Sequence, residues 1–472
     1  MRSDTRDSAV QPVITPRLTL KQYLSYGGGD AANNLAFSLA VSFLPLYLTD
    51  VALLSPGAVG LIFLIMRFVD GFTDIVMGSL IDRTNTRFGK FRPWILGGSV
   101  PLVVLVVLNF SMPGGLHGTP WAIAWAAVAY FLMGSVAYTS VNIPYGSLAA
   151  AMTDVARERA RLAMFRSIGT AVMQVLLALL ISPSLQVYQG NPDGLQRALF
   201  STLFPLAAVA LALYLFLFFT ARENVPRVSG RIRFRSSIQT IGSNRALQML
   251  SISSLLFLIG YFGAQGVLAY YARDVLGDAS TLIVIMTLFT GMVLVVGWLL
   301  PSLSRIIGRP RLFQLTALFS MIGALLLALI PNGGVWVAYV GAGLFGIGNG
   351  SVNTLMWNME ADTVEYGEWK TGLRSEGTTY AVFSFVRKLS QAIAGALGVW
   401  IIGLFGYTAG NFAQSDSTQW GIRIAVGFVP ALFILASILL MSRYPMSDAD
   451  HKRISTELRA RKSGRPETDQ PA

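Results

Sequence analysis

Two aspartates four residues apart inside an apolar run carry the most telling chemistry of this chain. In MRFVDGFTDIVMG (66–78), Asp70 and Asp74 fall on one face of a helix, with Arg67 three residues earlier on the same side. Paired carboxylates in a low dielectric need a positive companion: a proton, a bound Na⁺ or a basic side chain. Hard cations take oxygen ligands, and Thr73 on the same helix adds a hydroxyl. Reversible cation binding is the indicated chemistry. The competing reading is a fixed ion cluster of Arg67, Asp70, Asp74 and Lys388, a packing task that apolar residues would perform at lower cost.

Other polar residues interrupt apolar runs at comparable depth. FSFVRKLSQAIAG (383–395) holds Arg387 and Lys388; adjacent helical residues face different ways, so one is expected to point into a central cavity. GGGDAANNLAF (27–37) holds Asp30, Asn33 and Asn34, with Asp30 and Asn34 on one face. YTSVNIPYG (138–146) holds Tyr138, Thr139 and Asn142, with Pro144 positioned to bend the helix. Counted from the helix starts, these positions converge near the midplane or just to its cytoplasmic side. Each Asn or Thr has a competing role as helix–helix glue. Trp357, beside Asn358, is a candidate to stack on a sugar face, against the interfacial role common to membrane tryptophans. The acidic strip EADTVEYGEWKTGLRSE (360–376) follows an apolar run. Its Glu360, Asp362, Glu365 and Glu368 are expected to face Arg87, Lys90 and Arg92 in the 82–93 loop and the basic stretch 157–166, closing an inner gate by ion pairs that break on opening. The alternative there is a solvated loop.

The elements that must hold these residues follow from composition. Of 472 residues, 53% are hydrophobic and 13% charged, about half the charged share of a soluble protein, which argues against a water-soluble enzyme. A helix needs about 20 mainly apolar residues to span the hydrocarbon core. Twelve runs meet this: 24–48, 57–81, 93–112, 120–149, 161–184, 197–219, 247–272, 280–303, 311–331, 335–358, 378–405 and 421–442. They are too long and too continuously apolar for barrel strands. No apolar stretch precedes the first run, so the N-terminus reads as a polar tail and not a cleaved signal. With no Cys, and with His117 and His451 in a loop and the tail, neither disulfides nor an embedded metal centre is expected. Loops on one side hold 30 Lys and Arg, those on the other only Arg197, Arg273 and Arg423. The positive-inside rule then places both termini in the cytoplasm. The net charge of +12 is explained by topology and calls for no nucleic acid. The basic connection 222–245 divides the chain into bundles at 1–221 and 246–445, followed by a polar tail, 446–472. Segments 78–93 and 303–313 echo one another across that division, each with a Gly between basic residues. The fold expected is an all-α membrane protein of twelve transmembrane helices in two six-helix bundles, an arrangement of many secondary transporters.

DAANNLAF (30–37), RFVDGFTDIVMG (67–78), NTRFGKFRPW (85–94), VNIPYGSLAAAMT (141–153) and EADTVEYGEWKTGLRSEGTTYAVFSFVRKLSQAIAG (360–395) occur in order across nearly the whole chain. With these segments the chain resembles the glycoside–pentoside–hexuronide cation symporters of the major facilitator superfamily, and looks closest to their bacterial glucuronide carriers. The resemblance implies cation coupling at Asp70 and Asp74 with Thr139 contributing, Thr73 standing where melibiose-carrying members have Asn. It implies sugar contacts at Asn34, Tyr138, Asn142 and Arg166, and a role for Lys388. Where those members use carboxylates for neutral galactosides, this chain has the amides Asn34 and Asn142, with Arg166 and Lys388 kept. That charge change suits an anionic sugar. Gly146 replaces a bulky aromatic and leaves room for an aglycone. The implied activity is uptake of a glycoside, a glucuronide or related hexuronide, with H⁺ (or Na⁺) entry across the cell membrane. No cofactor and no obligate protein partner are implied. Rival readings are a symporter for a neutral xyloside or galactoside, a polyspecific exporter on the same fold, a lipid-linked transferase and a non-transporting sensor. The transferase would need Asp-rich metal loops that the sequence lacks.

Overall fold

Apolar runs punctuated by caps give helices throughout. The computed structural model describes residues 17–153, 155–224, 242, 244–329, 334–372, 376–409 and 414–463, the side chains of 75, 82, 156, 298, 376–378 and 381 excepted. Most of the central basic connection, part of the acidic strip beyond Gly372 and the end of the tail lie outside these residues. The helices are α1 (Leu20–Asp50), α2 (Pro56–Arg83), α3 (Arg92–Asn109), α4 (Pro120–Met152), α5 (Ala156–Val187), α6 (Pro192–Thr220), α7 (Arg245–Val275), α8 (Thr281–Ile307), α9 (Arg309–Leu329), α10 (Val335–Thr371), α11 (Glu376–Leu404), α12 (Asp416–Met441) and α13 (Asp448–Ser463). Proline opens α2, α4 and α6, where its missing N–H costs nothing. Ser55, Asn191, Asn244 and Ser415 cap helix starts by accepting a backbone N–H.

Ten of these helices are long and apolar enough to cross a membrane, and α8 makes an eleventh if its two parts, bent by 65°, are one broken span. The remaining long helix, α2, has 28 residues and carries Arg67, Asp70 and Asp74. Helices α1–α6 pack mainly on one another, as do α7–α12, and the two groups meet through α2 on α11, α5 on α8 and α1 on α7.

The acidic strip up to Thr371 is not a loop. It continues α10 as helix to Thr371, where Gly372 takes the left-handed conformation (φ 73°) that ends it. Tyr366 packs with Ala246 of α7, with Met446, and with Ile454 and Leu458 of α13, and Trp369 flanks them. That packing extends α10 well past the expected end at 358.

Four helices contain wide π turns: Leu39–Phe43 in α1, Phe131–Tyr138 in α4, Tyr271–Val275 in α7 and Ile424–Phe428 in α12. Such turns rotate the residues that follow them and gather at functional sites. Elsewhere small residues set the spacing. A Cβ at Gly169 of α5 would collide with the carbonyl of Gly27 in α1, so the two backbones touch there. This contact brings the polar face of α1 against Arg166 and Thr170.

Candidate functional site

Two polar ladders face each other across α2 and α4. Ser135 donates its hydroxyl to Asp70 Oδ1, and Thr139 donates to Asp74 Oδ1 at 2.9 Å. Ser135 and Thr139 are four apart, like the acids they meet, and the π turn of α4 ends between them. Each carboxylate also has one cation. Arg67 Nη1 lies 3.4 Å from Asp70 Oδ2, and Lys388 of α11 is ion-paired with the second oxygen of Asp74. A basic side chain is therefore the positive companion in this conformation. The Asp74–Lys388 pair is not sealed: the two side chains keep 15% and 29% of their surface accessible. The Thr73 hydroxyl donates to the backbone carbonyl of Asp70 at 3.1 Å, along its own helix.

Asp30 organises a second cluster. Its carboxylate accepts from Arg166 Nε (2.9 Å), Asn34 Nδ2 (2.9 Å) and the Thr170 hydroxyl. Asn34 Nδ2 is also within 3.0 Å of the Asp30 carbonyl and of Thr170 Oγ1. With its amide hydrogens so occupied, Asn34 has its carbonyl oxygen left for a ligand. Arg166 lies over the Tyr145 ring, and Tyr145 donates to the Tyr26 carbonyl at 2.8 Å. The Asp30 side chain is 3% accessible and that of Arg166 47%, so the acid is an anchor and the arginine stays partly accessible. Tyr138 is half-buried near this cluster, and Asn142, one turn further along α4, is half-buried too. Trp357 of α10 stacks on Tyr380 (5.7 Å, 30°) and meets Phe383 edge-on (5.2 Å). A Cβ at Gly146 would meet nothing within 4 Å.

Among the described residues, the groups expected at an inner gate have other partners. The backbone N–H groups of Lys90, Phe91 and Arg92 converge on the Glu223 carboxylate (2.8, 2.9 and 3.2 Å). Arg92 Nε donates to the Phe218 carbonyl at 2.9 Å, and Arg87 lies over the Phe88 ring. Asp362 pairs with Arg309, and His451 of α13 lies between Asp362 and Glu365 (3.3 and 3.1 Å). Among the described residues, Arg87 and Arg92 thus have partners in the N-terminal half, and Asp362 and Glu365 in the C-terminal half. Glu360 and Glu368 are buried along α10.

Sequence reasoning missed a polar latch at the helix ends away from the chain termini. Arg273 of α7 pairs with Asp50 of α1, binds Asp274 through Nε and Nη2 (2.7 and 2.8 Å) and donates to the Tyr407 hydroxyl at 2.8 Å. Tyr407 in turn donates to Asp50 at 2.6 Å, and Thr49 and Tyr270 share a hydrogen bond of 2.9 Å beside it. Nearby, the Ala279 N–H donates to Gln186, and Trp400 donates to the Gly57 carbonyl. An Arg–Asp pair on the side otherwise poor in basic residues was the available signal. Below the latch, Val41, Phe63, Arg67, Phe262 and Gln391 line a small cavity.

Comparison with known proteins gives this arrangement its place. Residues 25–448 match the family model described as MFS/sugar transport protein. The chain belongs to this family. It is 38% identical over 458 residues to the glucuronide carrier protein homolog of Escherichia coli (strain K12), covering 95% of this chain and 97% of that one. It is 32% identical to a putative 2,3-dihydroxypropane-1-sulfonate exporter of the same organism, over 95% and 97% of the two chains. A D-xylose–proton symporter shares the fold (TM-score 0.63, 15% identity, 90% of this chain and 97% of that chain). This MFS sugar transporter is accordingly a multi-pass protein of the plasma membrane, not an enzyme, and its ligand is a small molecule. The resemblance to glycoside–pentoside–hexuronide symporters holds over nearly its whole length.

Proposed function

We propose that this transporter takes up a glycoside of the glucuronide or hexuronide type together with H⁺ or Na⁺, by alternating access. Twelve spans with both termini in the cytoplasm complete the reading, the basic loops supplying the orientation. In that orientation the latch around Arg273 closes the outer face. The observation that carries the proposal is the Asp74–Lys388 pair, two opposite charges from different helix groups that remain accessible. An entering cation competes with Lys388 for Asp74. Once Lys388 is displaced, one contact holding α2 to α11 is lost, so ion occupancy biases which face is open. Ser135 and Thr139 hold the carboxylates in register and supply further oxygens. Asn34, Asn142, Tyr138 and Arg166 surround the sugar, and Trp357 offers it an aromatic face.

The name of the E. coli relative, a glucuronide carrier homolog, supports the substrate class. A direct test uses purified protein in proteoliposomes and p-nitrophenyl β-D-glucuronide. Inward proton or sodium gradients should drive its accumulation above the external concentration, and the productive gradient identifies the ion. Equilibration without accumulation under both gradients would overturn the coupling; accumulation of the neutral β-xyloside alone would overturn the substrate.

A further inference from the structure

Apart from the latch around Arg273 and Asp50, a second group of charges comprises Arg67, Arg166, Arg387 and Lys388 with Asp30, Asp70 and Asp74. Each acid is claimed: Asp70 by Arg67, Asp30 by Arg166 and Asp74 by Lys388. Arg387 has neither an acidic partner nor a hydrogen bond among the described residues. It is half-buried on α11. The groups around it are the Arg166 guanidinium of α5 and the neutral phenols of Tyr138 (α4), Tyr261 (α7) and Tyr380 (α11). It therefore stands between the two helix groups. A guanidinium in such a place, with a second one near it, is poorly stabilised until an anion joins them. Tyr380 also forms the shelf under Trp357, so an apolar face adjoins the unpaired charge.

Resting on the uptake reading above, we infer that Arg387 is the residue that reads the cargo's negative charge, and that the cargo presents one carboxylate to it. The planar fork of Arg387 matches a carboxylate through two parallel N–H···O bonds, and Arg166 faces the same anion from the opposite helix group. Lys388, its sequence neighbour, is excluded from that role while it holds Asp74. The two adjacent cations thus divide the work: Lys388 faces the coupling carboxylate and Arg387 faces the cargo. A neutral glycoside of the same shape leaves Arg387 unpaired and binds more weakly for that reason.

The test compares p-nitrophenyl β-D-glucuronide with p-nitrophenyl β-D-glucoside, which differ at the C6 carboxylate. Initial uptake into proteoliposomes is measured for wild type, R387Q and R387K at one fixed ion gradient, with melting temperature in detergent as the fold control. R387Q should raise the half-saturating glucuronide concentration about tenfold or more, the worth of a charge-assisted bidentate contact, and leave that for the glucoside within about twofold. R387K, which keeps charge but loses the fork, should fall between; if R387Q does not assemble, the selective glucuronide loss is read from R387K. Equal losses for both glycosides, or none for the glucuronide, would overturn the assignment of Arg387. A wild type that carries the glucoside but not the glucuronide would instead overturn the uptake reading, and the anion receptor with it.

Discussion

Asp74 touches both a hydroxyl and a cation supplied from other helices, so its substitution tests the proposed separation of binding from energy coupling. Asp74→Asn keeps the contact to Thr139 and loses the ion pair with Lys388. The expected outcome is an accumulation ratio that falls to about one while exchange of labelled for unlabelled substrate continues. Substrate accumulation set against counterflow in the same vesicles measures this, and full concentrative uptake by the variant would sink the assignment. The acids were legible in sequence because a carboxylate inside an apolar run is rare and costly. Ser135 was not, since serines in membrane helices are common and only its spacing from Thr139 repeats that of the acids. The choice between Arg387 and Lys388 was also beyond sequence. Both occupy the same run, and only the packing of α11 against α2 shows which of them reaches Asp74.

Helix register explains how residues 65 positions apart along the chain come to interlock. The π turn of α4 carries Ser135 and ends immediately before Thr139, setting both hydroxyls toward α2. Apolar periodicity does not encode such a turn, so sequence gave the helix but not its local winding. The same limit applies to α10, whose charged extension sequence leaves undecided between a gate strip and a solvated loop until α13 is seen packed against Tyr366 and Trp369. Close packing yields a second expectation. Gly169→Val forces α5 away from Gly27 and disturbs the Arg166–Asp30 contact, whereas Gly146→Val enters open space. The first should cost about 1–3 kcal/mol and lower the melting temperature in detergent by several degrees, while the second leaves it unchanged. Equal melting temperatures for the two variants would show that the α1–α5 contact does not set this packing.

Taken together, α1–α6 and α7–α12 are joined by polar contacts at one end, from the Asp50–Arg273–Tyr407 latch to the Asp74–Lys388 pair deeper in. Weakening the latch should shift the equilibrium toward the state opened on that face. Tyr407→Phe removes hydrogen bonds to Asp50 and Arg273, and bonds to charged groups are worth about 1.5–3 kcal/mol each. Because the chain has no Cys, a single Val41→Cys in the cavity below the latch reports that opening. An impermeant maleimide applied from outside intact cells should label it about tenfold faster in the Tyr407→Phe background. Unchanged labelling would show that the latch does not govern access.

Arg387, without an acidic partner among the described residues, bears on how cells could power this carrier. A cargo that balances it is singly negative. With a proton as its companion, each round trip moves no net charge, and a membrane potential of 100 mV, worth about 2.3 kcal/mol for every unit charge carried across, contributes nothing. Loading then follows the difference in acidity between the two compartments, strong in an acidic habitat and weak in an alkaline one, however highly polarised the membrane is.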